Sequence, residues 1–407
     1  MKSITINPSN KPIQAEIQLA SSKSESNRAL IINALTGFRG DLRNISAARD
    51  TQTMLRLLQS TDTIANVLDA GTTMRFLTAY FAITGQQKTM TGTSRMCERP
   101  IGILVDALRV LGAKIDYQNK EGYPPLALSG FEYLGSNQLA IRGDVSSQYV
   151  SALLMIAPTL PNGLELTLTG NIGSRPYIEM TLQQMAAFGI DYVADWANKT
   201  IKIPAQAYKP VVYEIESDWS GASYWYSLVA MANDAEIELL GLKEKSLQGD
   251  SAIVQIMKPL GVKSEFTSRG VKLSKIAAET SLEWDFSNCP DLAQTVAVCC
   301  AVKNIRLTLT GVESLKIKET DRIAALQAEL PKVGGELVET EKDTKYIVRG
   351  LQSEIQNQVS INTYDDHRMA MSFAPVGVLR PIEILEPLVV AKSYPGFWDD
   401  MAKVCLL

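Results

Sequence analysis

Two short segments set acids, a histidine and cations side by side. LKIKETDRIAAL carries Lys318, Glu319, Asp321 and Arg322. Lys318 and Arg322 are four apart, a spacing that puts both on one face of a helix. Glu319 adjoins them, where two cations can hold it ionised or orient it. TYDDHRMAMSF carries Asp365, Asp366, His367 and Arg368, and His367 is the only histidine in the chain. A lone histidine is commonly structural. This one stands between an acid pair and an arginine at a helix start, where proton transfer is available to it. Asp291 opens another polar cluster, and AKSYPGFW supplies Lys392.

The first half of the chain is richer in anion-binding signals. A helix start presents unpaired backbone N–H groups and a partial positive charge. In SSKSESNRALIINAL, Lys23, Ser24 and Arg28 crowd the entrance to the apolar run Ala29 to Leu35, and Ser22 and Glu25 have capping-box spacing. DAGTTMRFL offers Gly71, where a ligand can approach the backbone, with Arg75 one turn on. GDVSSQYVSALLM places Ser146, Ser147 and Gln148 at a third start. NIGSRPYIEMTL adds Ser174, Arg175 and Tyr177, and RMCERPIGILVDAL sets Arg99 before Pro100. Singly, each reads as a helix cap. Together they describe surfaces built to hold phosphate and carboxylate groups.

The elements behind these residues repeat. Polar clusters open apolar helices near Ser24, Gly71, Ser146, Ser220, Asp291 and Asp366, the last five at intervals of 71 to 75 residues. The first interval is only 47, so the first unit is expected to be truncated by a strand and its turn. A second repeat is an apolar helix ending in glycine and running straight into a strand, at Gly112, Gly189, Gly261 and Gly334. Six units of alternating strands and helices predict an α/β protein of two three-unit domains. The expected boundaries are 19–217 for the N-terminal domain, and 1–18 plus 218–407 for the C-terminal one. The N-terminal strand would pair in the C-terminal half, with a two-strand hinge near residues 18 and 217.

Composition bounds the rest. With 407 residues, 46% hydrophobic and 21% charged, the chain is long enough for two cores and too apolar for disorder. A net charge of −4 gives no global attraction to nucleic acid or anionic membrane. No apolar run reaches the roughly 18 residues of a membrane span. Five cysteines without a CxxC pair, two of them (Cys299 and Cys300) in the apolar run TVAVCCAV, suggest core packing and a reducing cytoplasm. No metal site, P-loop, dinucleotide fingerprint or serine elbow is visible, so no cofactor is expected.

The segments SKSESNRAL, AGTTMRFL, RMCERPIG, SSQYVSALLM, SRPYIEMTL, SLQGD, KIKETDR, DDHRMAM and AKSYPGF resemble the signature segments of the 5-enolpyruvylshikimate-3-phosphate synthases, in that family's order. The match runs from near residue 20 to near 398. The resemblance implies two similar domains of three βαβαββ units, the inverse α/β barrel of the enolpyruvyl transferases, closing over the substrates. It also implies a reaction: the 5-hydroxyl of shikimate-3-phosphate adds to C2 of phosphoenolpyruvate, and the tetrahedral intermediate loses phosphate. By position, Ser24 and Arg28 would hold the shikimate carboxylate, and Ser146, Ser147 and Ser174 its phosphate, with Tyr177 beside the ring. Asp291 and Lys318 would bind its hydroxyls, and Lys23 and Ser314 belong to the same substrate's set. Lys23, Gly71, Arg99, Gln148, Arg322, Arg368 and Lys392 would surround phosphoenolpyruvate, where glyphosate binds in the family. Asp291 would be the base and Glu319 the acid, assisted by Lys23 and His367. The partners implied are these two small molecules, with no nucleic acid and no membrane, and the expected state is a monomer.

The chain departs from the family pattern at Asp69, where Asn is usual, at Phe76, where Pro is usual, at Ser314, where Asn is usual, and in the short first unit. One alternative is the sister enzyme, UDP-N-acetylglucosamine enolpyruvyl transferase. It uses a loop cysteine several residues before an Arg-Pro pair; Cys97 precedes Arg99-Pro100 too closely. A second is a non-catalytic anion-binding protein of the same fold, against which the joint presence of Lys23, Asp291, Glu319, His367 and Lys392 argues.

Overall fold

In the computed structural model, which describes residues 2–9, 12–144, 146–351 and 359–407, the chain forms two units. One comprises residues 22–215, the other residues 1–21 with 216–407. Each has its own apolar core.

The 22–215 unit is built around three helices that pack on one another: α1 (Lys23–Leu35), α2 (Gly71–Ile83) and α3 (Ser147–Ile156). Their sequences are apolar around most of the circumference, which only a buried helix tolerates. A fourth helix, α4 (Arg175–Ala187), packs on α1 and α3. Two four-stranded sheets share one pattern. In the first, Ile64–Asn66 and Lys88–Thr91 run parallel, and Leu126–Phe131 and Ala113–Tyr117 continue antiparallel. In the second, Gln138–Arg142 and Leu164–Thr169 are the parallel pair, followed by Thr200–Ile203 and Val193–Asp195. The third sheet has only two strands, Asp41–Arg43 and Val212–Glu214. The short first interval in the sequence is thus a missing hairpin, and the truncation of the first unit is seen directly.

The other unit repeats the plan. Its central helices are α5 (Trp219–Met231), α6 (Ala293–Val302) and α8 (His367–Phe373), all mutually packed, with α7 (Arg322–Glu329) preceding α8 in the chain. Strand Ile13–Gln18 runs parallel to Ala235–Leu240 in one four-stranded sheet, and Ser281–Asp285 runs parallel to Arg306–Thr310 in the next. In the third sheet Ser3–Ile6 lies antiparallel to Ile382–Leu385, which pairs in parallel with Val359–Ile361. The fold is therefore mixed α/β in two units, as the alternation of elements predicts.

The repeated glycines do the same job each time. Gly112, Gly189, Gly261 and Gly334 have φ of 115°, 81°, 100° and 90°, the left-handed region where a Cβ is strained. Cys299 and Cys300 are buried in α6, as their apolar setting predicts, and burial pushes the Cys299 thiol up to about 11. No helix among the described residues is long and apolar enough to cross a membrane.

Candidate functional site

In the 22–215 unit the helix starts carry the sites. Ser22 caps α1 by accepting from the Glu25 amide, at 3.4 Å. That start aims Lys23 at Asp50, with Nζ to Oδ2 at 3.1 Å. One turn on, Arg28 is fully buried. Its Nε donates to Thr181 Oγ1 at 2.7 Å, Nη1 to the Ser24 carbonyl at 2.9 Å and Nη2 to Ser151 Oγ at 3.2 Å. Burial pushes the Arg28 guanidinium down to about 10, against the pull of Tyr177 and Glu25. Three helices, α1, α3 and α4, thus hold one cation.

A second group gathers where α2 begins. A Cβ on Gly71 would lie 2.8 Å from Nη1 of both Arg75 and Arg99, so the two guanidinium ends face this backbone. Arg75 is pinned through the Gly71 carbonyl at 3.1 Å and the Pro100 carbonyl at 2.9 Å. Gln148, at the start of α3, donates to Thr72 Oγ1 at 2.9 Å. Ser146 caps α3, and Ser147 is its first residue. The loops before α3 and α4 are tied by Gly173 N–H to the Gly143 carbonyl at 3.0 Å. Ser174 is left-handed at φ 53°, unusual for a residue with a Cβ, and its hydroxyl does not cap α4. The helix after Pro100 begins at Gly102, two residues later.

In the other unit the acids and cations interlock. Arg322 donates to Asp291 Oδ1 at 3.0 Å, to Glu319 Oε2 at 2.9 Å and to Asp366 Oδ2 at 2.7 Å. Arg368 reaches Asp291 Oδ2 at 2.7 Å, and Lys318 lies 3.9 Å from Asp291 Oδ1. Lys392, almost wholly buried, stands 3.3 Å from Glu319 Oε1. Burial pushes the Asp291 carboxyl up, but Arg368, Lys318 and Arg322 together override it and hold it well below the usual carboxylate range. Arg322 is raised in turn: desolvation opposes its charge, and Asp366, Glu319 and Asp291 outweigh that cost. Asp366 caps α8 through the Arg368 amide at 2.8 Å and lies 3.7 Å from His367 Nδ1.

The expected shared face of Lys318 and Arg322 is a correction. Asp321 caps α7, accepting from the Ala324 amide at 3.0 Å, so α7 begins only at Arg322. Lys318 ends the preceding 3-10 turn, Glu313–Ile317, and converges with Arg322 through Asp291, not through helical spacing. Ser314 is exposed on that turn, and its side chain makes no hydrogen bond among the described residues. Two carboxylates were missed by reading residues along the chain. Asp50 partners Lys23. Asp250, in SLQGD, is buried and hydrogen-bonded to Ser220. Burial first, and then the charge of Asp291, push Asp250 up to about 7. An acid on a short helical turn, just ahead of the apolar IVQIM, was the available signal. Among the described residues no group of three or more His, Cys, Asp or Glu is placed to hold a metal ion.

Solved structures of EPSP synthase from Acinetobacter baumannii superpose along the full chain. One covers 100% of this chain and 99% of its own, with a TM-score of 0.79 at 20% identity; another gives a TM-score of 0.77. At that identity the likeness establishes the fold, the two-unit α/β architecture of these transferases. The family follows from sequence. The model of the family described as EPSP synthase (3-phosphoshikimate 1-carboxyvinyltransferase) matches residues 8–67 and 59–401, and the chain belongs to that family. A 3-phosphoshikimate 1-carboxyvinyltransferase of Bacteroides fragilis is 50% identical over 394 residues, covering 96% of this chain and 95% of that protein. Proteins of the same name from Yersinia pestis and Herminiimonas arsenicoxydans are each 35% identical, over 100% and 95% of this chain and 100% and 94% of their own length.

Proposed function

We infer that the chain is an enzyme that transfers the enolpyruvyl group of phosphoenolpyruvate to the 5-hydroxyl of shikimate-3-phosphate, releasing phosphate. The observation that carries the chemistry is the pairing of two carboxylates with fixed but different surroundings. Asp291 is ringed by Arg322, Arg368 and Lys318, and Glu319 is held between Arg322 and Lys392.

In the proposed mechanism Asp291 takes the 5-hydroxyl proton. A carboxylate held so far toward its ionised form is a weak base, so proton transfer accompanies C–O bond formation at C2 and does not precede it. Glu319 gives a proton to the methylene carbon. The tetrahedral adduct then loses phosphate as that carbon gives a proton back. His367 and Lys23 assist, Lys23 as a cation near developing negative charge.

For binding, we assign the shikimate carboxylate to Ser24 and Arg28, with the phosphate on Ser146, Ser147 and Ser174 and Tyr177 beside the ring. Arginine's fork suits the first and clustered hydroxyls at helix starts suit the second. Asp291 and Lys318 take the ring hydroxyls. Phosphoenolpyruvate is assigned to Lys23, Gly71, Arg99, Gln148, Arg322, Arg368 and Lys392. Ser314, exposed on the turn before Lys318, is assigned to the same substrate. The proposed setting is the cytoplasm and the proposed state a monomer. Phosphate release from phosphoenolpyruvate that depends on added shikimate-3-phosphate tests the reaction. Release without that dependence, or none, overturns it.

A further inference from the structure

Phe76 occupies a position where the family usually has proline, and its ring does something a proline could not. It is fully buried on α2, and the Arg28 guanidinium carbon lies 5.3 Å from its ring centroid. The Tyr177 ring, from α4, lies 5.8 Å from the same carbon. Arg28 has no hydrogen bond to a carboxylate among the described residues; its partners are two hydroxyls and a carbonyl. Glu25 adds an electrostatic pull without a hydrogen bond, and the charge is otherwise held by neutral dipoles and by ring faces, whose quadrupole attracts a planar cation more strongly when water is excluded. That environment is costly for the cation, as its lowered proton affinity shows.

The hydrogen bonds leave part of the fork unused. A guanidinium has five N–H donors. Nε is spent on Thr181, one Nη1 hydrogen on the Ser24 carbonyl and one Nη2 hydrogen on Ser151. One donor remains on each terminal nitrogen, the pair a carboxylate can accept from together. The three bonds fix where the group sits. The Phe76 and Tyr177 rings flank it within the range of a cation–ring contact.

We propose that Phe76 is a positioning residue for Arg28: its ring face holds the guanidinium plane at which the two remaining N–H groups meet the shikimate carboxylate. The inference rests on the assignment of that carboxylate to Arg28. It makes Phe76 a determinant of shikimate-3-phosphate affinity, not of phosphoenolpyruvate affinity, although Phe76 and Gly71 share one helix.

A double-mutant cycle in the full-length enzyme tests it. Phe76→Leu keeps an apolar side chain and removes the ring face. It should raise KM for shikimate-3-phosphate about 3- to 30-fold, the range of a desolvated cation–ring contact. KM for phosphoenolpyruvate and kcat should move by less than about twofold, as for a loss of uniform binding. In an Arg28→Ala background the same substitution should have no further effect. Equal rises in both KM values, or a Phe76→Leu effect that persists without Arg28, overturn the proposal. If Arg28→Ala leaves shikimate-3-phosphate binding unchanged, the carboxylate assignment itself falls, and the proposal with it. Should Phe76→Leu fail to fold, Phe76→Met, also without a ring, is read by the same cycle and criteria.

Discussion

Arg322 Nη1 and Asp291 Oδ1 are 3.0 Å apart, and the other oxygen of the same carboxylate is 2.7 Å from Arg368 Nη2. The proposed base is thus clamped by two forked cations, which fixes its position and weakens its basicity together. Asp291→Asn keeps the shape and removes the proton acceptor. It should lower kcat by about 100- to 10000-fold. Arg322 keeps Asp366 and Glu319 as partners, so the fold should survive. The check is kcat at saturating substrates alongside a thermal melt. A folded variant within tenfold of wild type would sink the base assignment.

Asp250 is a buried carboxyl beside Asp291 in this cluster. Its carboxyl is pushed up to about 7 by burial and by Asp291, whereas in the unfolded chain it returns to the ordinary value near 3.8. Between those values the folded state binds the extra proton. Stability from this group is therefore fully present below about pH 4 and falls as pH rises toward 7, by at most about 1.4 kcal/mol per pH unit. Asp291 has the opposite sign: its contribution is lost as pH falls below the ordinary carboxylate range. Asp250→Asn cannot titrate. The melting-temperature difference, wild type minus variant, should fall from pH 4 to pH 7 and level off above. A difference independent of pH would show that Asp250 is ionised in the folded protein throughout.

What could be read from the sequence, and what could not, divides by range. The starts of α1, α2, α3 and α8 were legible because caps, glycines and apolar runs act within a few residues. The truncated unit was legible as a shortened interval and appears as the two-stranded sheet Asp41–Arg43 with Val212–Glu214. The start of α7 was misread although its cap, Asp321, was in plain view; the four-residue spacing of Lys318 and Arg322 outweighed it. Asp50 and Asp250 were not legible as partners. Each meets its mate across 27 and 30 residues through packing of separate elements. The Phe76–Arg28 contact joins two helices and leaves no local trace at all.

Lys23 and Asp50 make a partly buried pair, 17% and 4% exposed at the side chain. Lys23→Met should lower kcat roughly 100- to 1000-fold, the usual cost of losing a preorganised charge. It should also destabilise the fold by about 1–3 kcal/mol, because Asp50 is left buried without its cation. The double variant Lys23→Met/Asp50→Asn separates the two effects. Stability should return, since no charge is stranded, and activity should not. Recovery of kcat in the double variant would mean that Lys23 serves only to neutralise Asp50.

Gly71 sets the space at the start of α2, and the family's inhibitor glyphosate is the sharpest probe of it. All the cations assigned to that ligand site, Lys23, Arg99, Arg322, Arg368 and Lys392, are present. An added Cβ at Gly71 would stand 2.8 Å from Arg75 Nη1, and 2.8 and 2.9 Å from the two terminal nitrogens of Arg99. Contacts that short force a shift. Arg75 cannot give easily, because the Gly71 and Pro100 carbonyls both hold it. One of the two guanidinium groups must still move, and the methyl then fills part of the space beside them. Phosphoenolpyruvate is the smaller ligand and should lose less than glyphosate does. Gly71→Ala should therefore raise the glyphosate inhibition constant by at least about tenfold more than it raises KM for phosphoenolpyruvate, a difference of about 1.4 kcal/mol between the two ligands. Inhibition measured against varied phosphoenolpyruvate should remain competitive in both proteins. If the two constants rise by the same factor, the substitution has displaced a shared cation, and the space at Gly71 does not discriminate between the ligands.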